Sequence, residues 1–276
     1  MQTAAVEPEP AFRPFNPDGE MRVYGRNLPH WRQPGATYFV TIRQDDSIPE
    51  RVLAEWLDVR KRWLQAHGID PQWQESDPDR FAMTYRKIAE SIRRAFEREQ
   101  SRMLHEELDR CHGSCVLRNA KPRQFLLDSL MFFHRSRLWM GDIIIMPNHA
   151  HCLIIPFDDW ELEDLFGSIK KWTSRLIGQW LEQQPNSSRP TGPVHNKPRF
   201  WQHESYDRIV RDAEELTAFR RYIARNAETA KLPPSGFTYQ AAAWLDSFAE
   251  RPAPPVASSF KTYSNRISKR IIFRQN

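Results

Sequence analysis

The stretch Ile143-Ile144-Ile145-Met146-Pro147-Asn148-His149-Ala150-His151-Cys152-Leu153-Ile154-Ile155 decides how this chain folds. Its β-branched opening belongs to an apolar run over residues 138–146, the composition of a buried strand. Pro147-Asn148 is a turn dipeptide, and the apolar run that follows, residues 149–155, is a second strand. On a strand, positions i and i+2 point to the same face, so His149 and His151 stand side by side. Two neutral imidazoles placed this way suit a divalent metal, and two strand histidines that merely face solvent have the same spacing. The metal reading gains from the buried strand that a tight turn feeds straight into the pair.

Working outward, Thr37-Tyr38-Phe39-Val40-Thr41-Ile42 is β-branched and aromatic, bounded by Pro34-Gly35 and Asp45-Asp46, and predicts a strand. Apolar residues recur near helical spacing at Val52, Leu53, Trp56 and Leu57, and again at Tyr85, Ile88, Ile92, Phe96 and Met103. The polar residues 68–80 between them predict a loop, and residues 124–133 a further helix. Downstream, Leu162, Leu165, Phe166, Ile169, Thr173, Leu176, Ile177 and Trp180 form one stripe of an amphipathic helix within residues 158–184. A Pro/Ser/Asn loop follows at 185–198, then an extended aromatic stretch at 200–210. Asp212 caps a helix running to about residue 231. Strand, helices, strand, turn, strand, helix, short strand, helix is the order of an α+β sandwich, with helices packed on a small antiparallel sheet. Residues 1–20 carry Pro8, Pro10, Pro14 and Pro17 and predict a disordered leader. Beyond Pro233-Pro234 the pattern weakens, and a basic arm with Arg266, Lys269, Arg270 and Arg274 closes the chain.

With 40% hydrophobic and 27% charged residues over 276 positions, the chain has enough apolar sequence to bury a core, which excludes wholesale disorder. The net charge of +5 is compatible with a polyanionic partner but does not by itself identify one. Three cysteines, Cys111, Cys115 and Cys152, are too few for a disulfide scaffold, so a reducing, cytoplasmic setting is expected. No apolar run reaches the length of a membrane span, so no membrane partner is expected. Cys111-His112 with Cys115 lacks a second pair at zinc spacing and predicts structural cysteines. There is no Gly-rich phosphate loop, which argues against nucleotide hydrolysis.

Tyr222 and Asn226 lie one helical turn apart, beside the apolar stripe Leu216, Phe219, Ile223 and Ala227. A tyrosine there is either a packed edge residue or a nucleophile, a phenol on a rigid helix with an amide one turn later. Tyr206 lies in the extended stretch 200–210, and no ligand-type side chain follows it one helical turn later, at Val210. Lys170, Lys171 and Arg175 suit phosphates or simply a solvated helix face, and Trp201 suits a stacked base or the core.

These segments together resemble the single-tyrosine HUH transposases, and among them the REP-associated tyrosine transposases. Met146-Pro147-Asn148-His149-Ala150-His151 is similar to the family's His-hydrophobic-His motif. Leu28-Pro29-His30-Trp31 with residues 35–41 looks like its first strand, and Ser168-Ile169-Lys170-Lys171-Trp172-Thr173 like the helix after the motif. Phe200-Trp201-Gln202 through Tyr206-Asp207-Arg208 to Tyr222, Ile223 and Asn226 looks like its C-terminal signature. Residues 109–117 also resemble a recurrent piece of this group, which implies a role in the fold. Ala150 stands where a larger apolar residue is commoner, and Asn226-Ala227 where Asn-Pro is frequent.

The resemblance covers roughly residues 26–232 and implies a ferredoxin-like antiparallel sheet with packed helices. It divides the chain into a leader (1–20), a catalytic domain (21–235) with a helical insertion at about 51–107, and a C-terminal extension (236–276). It implies His149, His151 and Asn226 as ligands of Mg²⁺ or Mn²⁺ and Tyr222 as the nucleophile. It makes Lys170, Lys171, Arg175, Trp201 and Arg208 candidates for DNA contact. The implied activity is cleavage and rejoining of single-stranded or hairpin DNA at REP-like repeats through a 5′-phosphotyrosine link, the chemistry of DNA transposition and recombination. The protein would act as a monomer or homodimer. A domesticated DNA-binding protein that does not cut, and a metal-dependent hydrolytic nuclease, are the alternatives.

Overall fold

The computed structural model describes residues 10–20, 22–24, 30–184 and 199–255. Two short strands, β1 (Arg22–Tyr24) and β2 (His30–Arg32), pair antiparallel apart from the main sheet. Strand β3 (Tyr38–Arg43) is followed by four helices: α1 (Glu50–Ala66), α2 (Trp73–Ser76), α3 (Pro78–Lys87) and α4 (Glu90–Asp109). Helix α5 (Ala120–Phe132) leads into strands β4 (Leu138–Ile145) and β5 (His149–Pro156), then helix α6 (Leu162–Glu182). Strand β6 (Tyr206–Ile209), helix α7 (Ala213–Thr229) and strand β7 (Thr238–Gln240) complete the order.

The main sheet runs β6-β3-β5-β4-β7 with every neighbour antiparallel. Without β7, the edge strand added last, the remaining strands and α5 and α6 follow the β-α-β-β-α-β path of a ferredoxin-like α+β fold. Period-two alternation sends Tyr38, Val40 and Ile42 of β3 and Ala150, Cys152 and Ile154 of β5 to one face, under Leu126, Leu130, Phe166 and Ile169 of α5 and α6. The opposite residues, Phe39 and Leu153, pack under Leu216, Ile223 and Ala227 of α7. The histidines share that second face, which brings α7 over them.

Helix α7 starts where Asp212 Oδ1 accepts from the Glu215 amide (2.8 Å) while the Glu215 carboxylate accepts from the Arg211 amide (2.7 Å). Its anchor is Arg220, wholly buried, which donates to Asp142 (2.9 Å), the Ala249 carbonyl (2.6 Å) and Asp246 (2.9 Å). Asp142 reaches α7 through a β-bulge. Met140 opposes Ile154 and Ile143 opposes Cys152, so β4 spends one more residue than β5 over that interval. Gly141 lies in the bulge because the β5 backbone crosses there; a Cβ would stand 2.9 Å from the Leu153 carbonyl oxygen.

Several expectations change. Residues 68–80 are not a plain loop: they hold α2 and the start of α3, where Asp77 caps the Arg80 amide ahead of Pro78. The helical pattern from Tyr85 to Met103 is split between α3 and α4, with Ile88 and Ala89 extended. Residues 10–20 are pinned to the sheet edge, Phe15 donating to the Val210 carbonyl and Arg13 accepting from the Thr37 amide, both 2.8 Å. The weak pattern beyond Pro233 conceals β7. Residues 1–9, 28–29, 185–198 and the basic arm lie outside the described residues. Among the described residues no helix is long and apolar enough to cross a membrane.

Candidate active site

His149, His151, Tyr222 and Asn226 meet between β5 and α7. Both histidines are fully buried, their rings 4.6 Å apart. The Asn148 amide donates to the His112 carbonyl (3.0 Å), which leaves its oxygen to accept from His149 Nδ1–H at 2.7 Å. That bond fixes the proton on Nδ1, so Nε2 carries the free lone pair; it makes no hydrogen bond of ordinary geometry among the described residues, with Asn226 nearby. Thr41 lies directly across from His151 in the β3–β5 ladder, and its hydroxyl shares a 2.8 Å hydrogen bond with His151 Nδ1. Second partners of this type set which imidazole nitrogen faces a metal.

The Tyr222 hydroxyl sits 3.2 Å from His151 Nε2. One turn on, Asn226 donates through Nδ2 to Asp109 Oδ1 (3.1 Å), which turns its oxygen away from the carboxylate. That oxygen is buried and makes no hydrogen bond of ordinary geometry. Two orphaned acceptors, one imidazole and one amide, therefore share a buried site with a second imidazole. This donor set fits a divalent cation. No group of three His, Cys, Asp or Glu side chains among the described residues does so.

Burial sets the electrostatics. It pulls His149 down to about 3, helped by nearby His105, and holds His151 well below the ordinary histidine value. The imidazoles are thus kept neutral, the form that ligates. Burial first, then the charge of Asp109, holds the Tyr222 phenol well above its ordinary value, with Asn226 opposing. Asp109 is itself raised to about 6, mainly by burial.

Two residues of this site were not anticipated, His105 and Asp109, both from the C-terminal half of α4. The His105 ring stacks on Tyr222 (4.9 Å, 25°) and meets His151 edge-on (5.1 Å), with Nε2 unpartnered and burial lowering its pKa to about 4. Their four-residue spacing, which puts an imidazole and a carboxylate on one helix face, was the available signal. Helix α4 thus reaches the site itself. Tyr206 lies apart from the histidine pair: its ring is 6.0 Å from His105, against Ile48 and against Leu104 and Leu108 of α4.

The candidate DNA contacts divide. Lys171 and Arg175 are exposed on α6, the Arg175 guanidinium over the Trp172 ring. Lys170 is turned inward, donating to the Gln202 and His203 carbonyls (3.0 and 3.1 Å). Trp201 is buried, its indole N–H donating to Thr173 Oγ1 (2.8 Å), so its ring is core and not a stacking platform. Arg208 pairs with Glu215 (2.5 Å) and lines a cavity beside β6. Cys111, Cys115 and Cys152 are free thiols, and the Cys115 thiol donates to the Cys111 carbonyl (2.9 Å). The segment around them is structural, shaping the turn that presents the His112 carbonyl to Asn148.

No protein-family model and no curated protein matches the chain. Among solved structures it is similar to a REP-associated tyrosine transposase bound to a REP hairpin, at 12% identity over 73% of each chain and a TM-score of 0.36. A likeness that loose leaves the functional reading to the residues themselves.

Proposed function

We propose that the chain is a transposase-like DNA strand transferase that cuts and rejoins single-stranded, hairpin-forming DNA through Tyr222. The observation that carries this is the Tyr222 hydroxyl held 3.2 Å from His151 Nε2, beside the unpartnered His149 Nε2 and Asn226 Oδ1. The motif order in the sequence supports the same reading. Mg²⁺ or Mn²⁺, held by His149, His151 and Asn226, would supply positive charge to the scissile phosphate.

The chain's own groups do the rest. Helix α7, locked by Arg220, fixes the direction of the phenol. Tyr222 Oη forms a bond to phosphorus as the bond from phosphorus to the 3′ oxygen breaks. The phenol gives up its proton, the 3′ oxygen gains one, and the products are a 5′-phosphotyrosine and a free 3′-hydroxyl. Attack by a 3′-hydroxyl reverses the same bonds and rejoins the strand without ATP. Buried neutral imidazoles and the packing of Phe39 and Phe219 limit water at the site.

The test is a denaturing gel for covalent adduct with labelled hairpin-bearing single strands from the gene's flanks, in Mg²⁺ or Mn²⁺. The adduct is expected with wild type and lost in Tyr222→Phe, in His151→Ala and in EDTA. Cleavage persisting in Tyr222→Phe without adduct would make the chain a hydrolytic nuclease. Binding without cleavage or adduct would make it a DNA-binding protein.

A further inference from the structure

A cavity of about 560 Å³ lies between the insertion helices and β6. That is room for one nucleotide-sized ligand. Two buried polar side chains line it without partners. Arg60 is 9% exposed, with Nε and Nη2 making no hydrogen bond, and Gln100 is 4% exposed with both amide atoms unsatisfied. The acids of the same wall are already engaged. Glu97 accepts from the Tyr85 hydroxyl and from Arg211, each at 3.0 Å, Glu90 pairs with Arg94, and Asp207 is held by Arg32. Arg60 therefore carries a buried charge with no hydrogen-bonded carboxylate; burial lowers its pKa, and the charges of Glu97 and Glu204, which act on it without a hydrogen bond, offset this only in part. Such a charge persists when water or an anion occupies the space in front of it. The wall also holds the aromatic side chains of Trp56, Tyr85, Phe96 and Tyr206 and the arginines Arg86, Arg93, Arg208 and Arg211.

We propose that this cavity binds a nucleotide. Arg60 takes the phosphate, the free Gln100 amide meets the polar edge of the base, and the aromatic wall receives its face. A bare phosphate would not use the rings, and an apolar ligand would leave Arg60 and Gln100 unsatisfied. The cavity adjoins the tyrosine site, since Tyr206 in its wall meets His105, which stacks on Tyr222. Resting on the strand-transfer reading, the bound nucleotide is one that flanks the cleaved phosphate in the same strand.

The test measures equilibrium binding by the full chain in EDTA, so that no metal or cleavage enters. The probes are the four deoxynucleoside monophosphates and a hairpin with a single-stranded flank. Arg60→Met is expected to weaken binding about 10-fold or more, as loss of a charge-assisted contact does. Gln100→Leu is expected to weaken it about 3- to 10-fold. Because Arg60 Nε and Nη2 have no hydrogen bond to lose and its burial outweighs the attraction of Glu97 and Glu204, Arg60→Met is expected to keep or raise the melting temperature. Loss seen with the monophosphates shows that a free nucleotide suffices, and loss confined to the hairpin shows that the nucleotide must arrive in a strand. Unchanged affinity for every probe in both variants, or a melting temperature for Arg60→Met lowered by more than ~5 °C, would overturn the proposal. Absence of binding to any probe would do the same. Adduct formation is scored separately. Arg60-dependent binding without adduct would refute strand transfer alone, and adduct formed equally by both variants with unchanged affinity would refute the nucleotide cavity alone.

Discussion

Replacing Asp142 by alanine tests whether the bulge in β4 is what holds the tyrosine helix in place. In the folded protein the Asp142 carboxylate accepts from Arg220 Nε (2.9 Å) and from the Ala242 amide (2.8 Å), with both side chains fully buried. The substitution leaves the Ala242 N–H unpaired and the guanidinium with the Ala249 carbonyl and Asp246, whose side chain is one-third exposed. Breaking a buried pair by removing one partner costs about 3–5 kcal/mol. Because Asp246 still faces the charge, the lower end applies, about 3 kcal/mol. At roughly 2–4 °C per kcal/mol for a domain of this size, the melting temperature falls by roughly 6–12 °C. Thermal denaturation followed by circular dichroism measures it. Adduct formation is expected to fall more steeply than the folded fraction, since Arg220 precedes Tyr222 by two residues on α7. The double variant Asp142→Leu/Arg220→Met removes both charges and is expected to recover most of the lost stability. An Asp142→Ala protein melting within 2 °C of wild type would refute the anchoring role. So would a double variant that melts no higher than the single one.

Thr41→Val removes the hydrogen bond to His151 Nδ1 while keeping the side chain's shape, and Mn²⁺ affinity measured by calorimetry is expected to fall about 10–100-fold; unchanged affinity would place the metal elsewhere. Gly141→Ala drives a Cβ to within 2.9 Å of the Leu153 carbonyl oxygen, and a loss of about 1–3 kcal/mol in urea denaturation is expected, with no loss indicating a bulge that yields freely. Trp201→Phe loses the indole bond to Thr173 and is expected to cost about 1–2 kcal/mol of stability while leaving DNA affinity within twofold. A large affinity loss at unchanged stability would return Trp201 to the DNA-binding surface.

What the sequence disclosed and what it withheld divide along a physical line. His149 and His151 were legible because a strand's period of two fixes their common face whatever packs on it. Tyr222 and Asn226 were legible because a helix fixes i and i+4. The sheet with its two layers followed from the same two periods. Tertiary docking is not written in a period. Helix α4 carries charges on several sides, as in Glu90, Arg93, Arg94, Glu97, Arg98 and Glu99, and its apolar recurrence is an incomplete guide to docking, since Ile92 is exposed. Only docking against β5 and α7 puts His105 on the Tyr222 ring and Asp109 on the Asn226 amide. Asp142 shows the same thing in one residue. The apolar run 138–146 gives no role to the aspartate inside it, and the bulge makes that residue the partner of the buried arginine that fixes the tyrosine helix. Strand β7 was missed because three residues are too few to show alternation. Polar residues set in apolar or amphipathic runs carry the information a period cannot. Burying Asp142, His105, Asp109 and Arg60 has a cost, and each persists by virtue of what it faces: Asp142 an arginine, Asp109 the amide beside the tyrosine, His105 the tyrosine ring, and Arg60 a cavity. The first of these fixes the geometry of the site, the next two line it, and the last is where a bound nucleotide would be found.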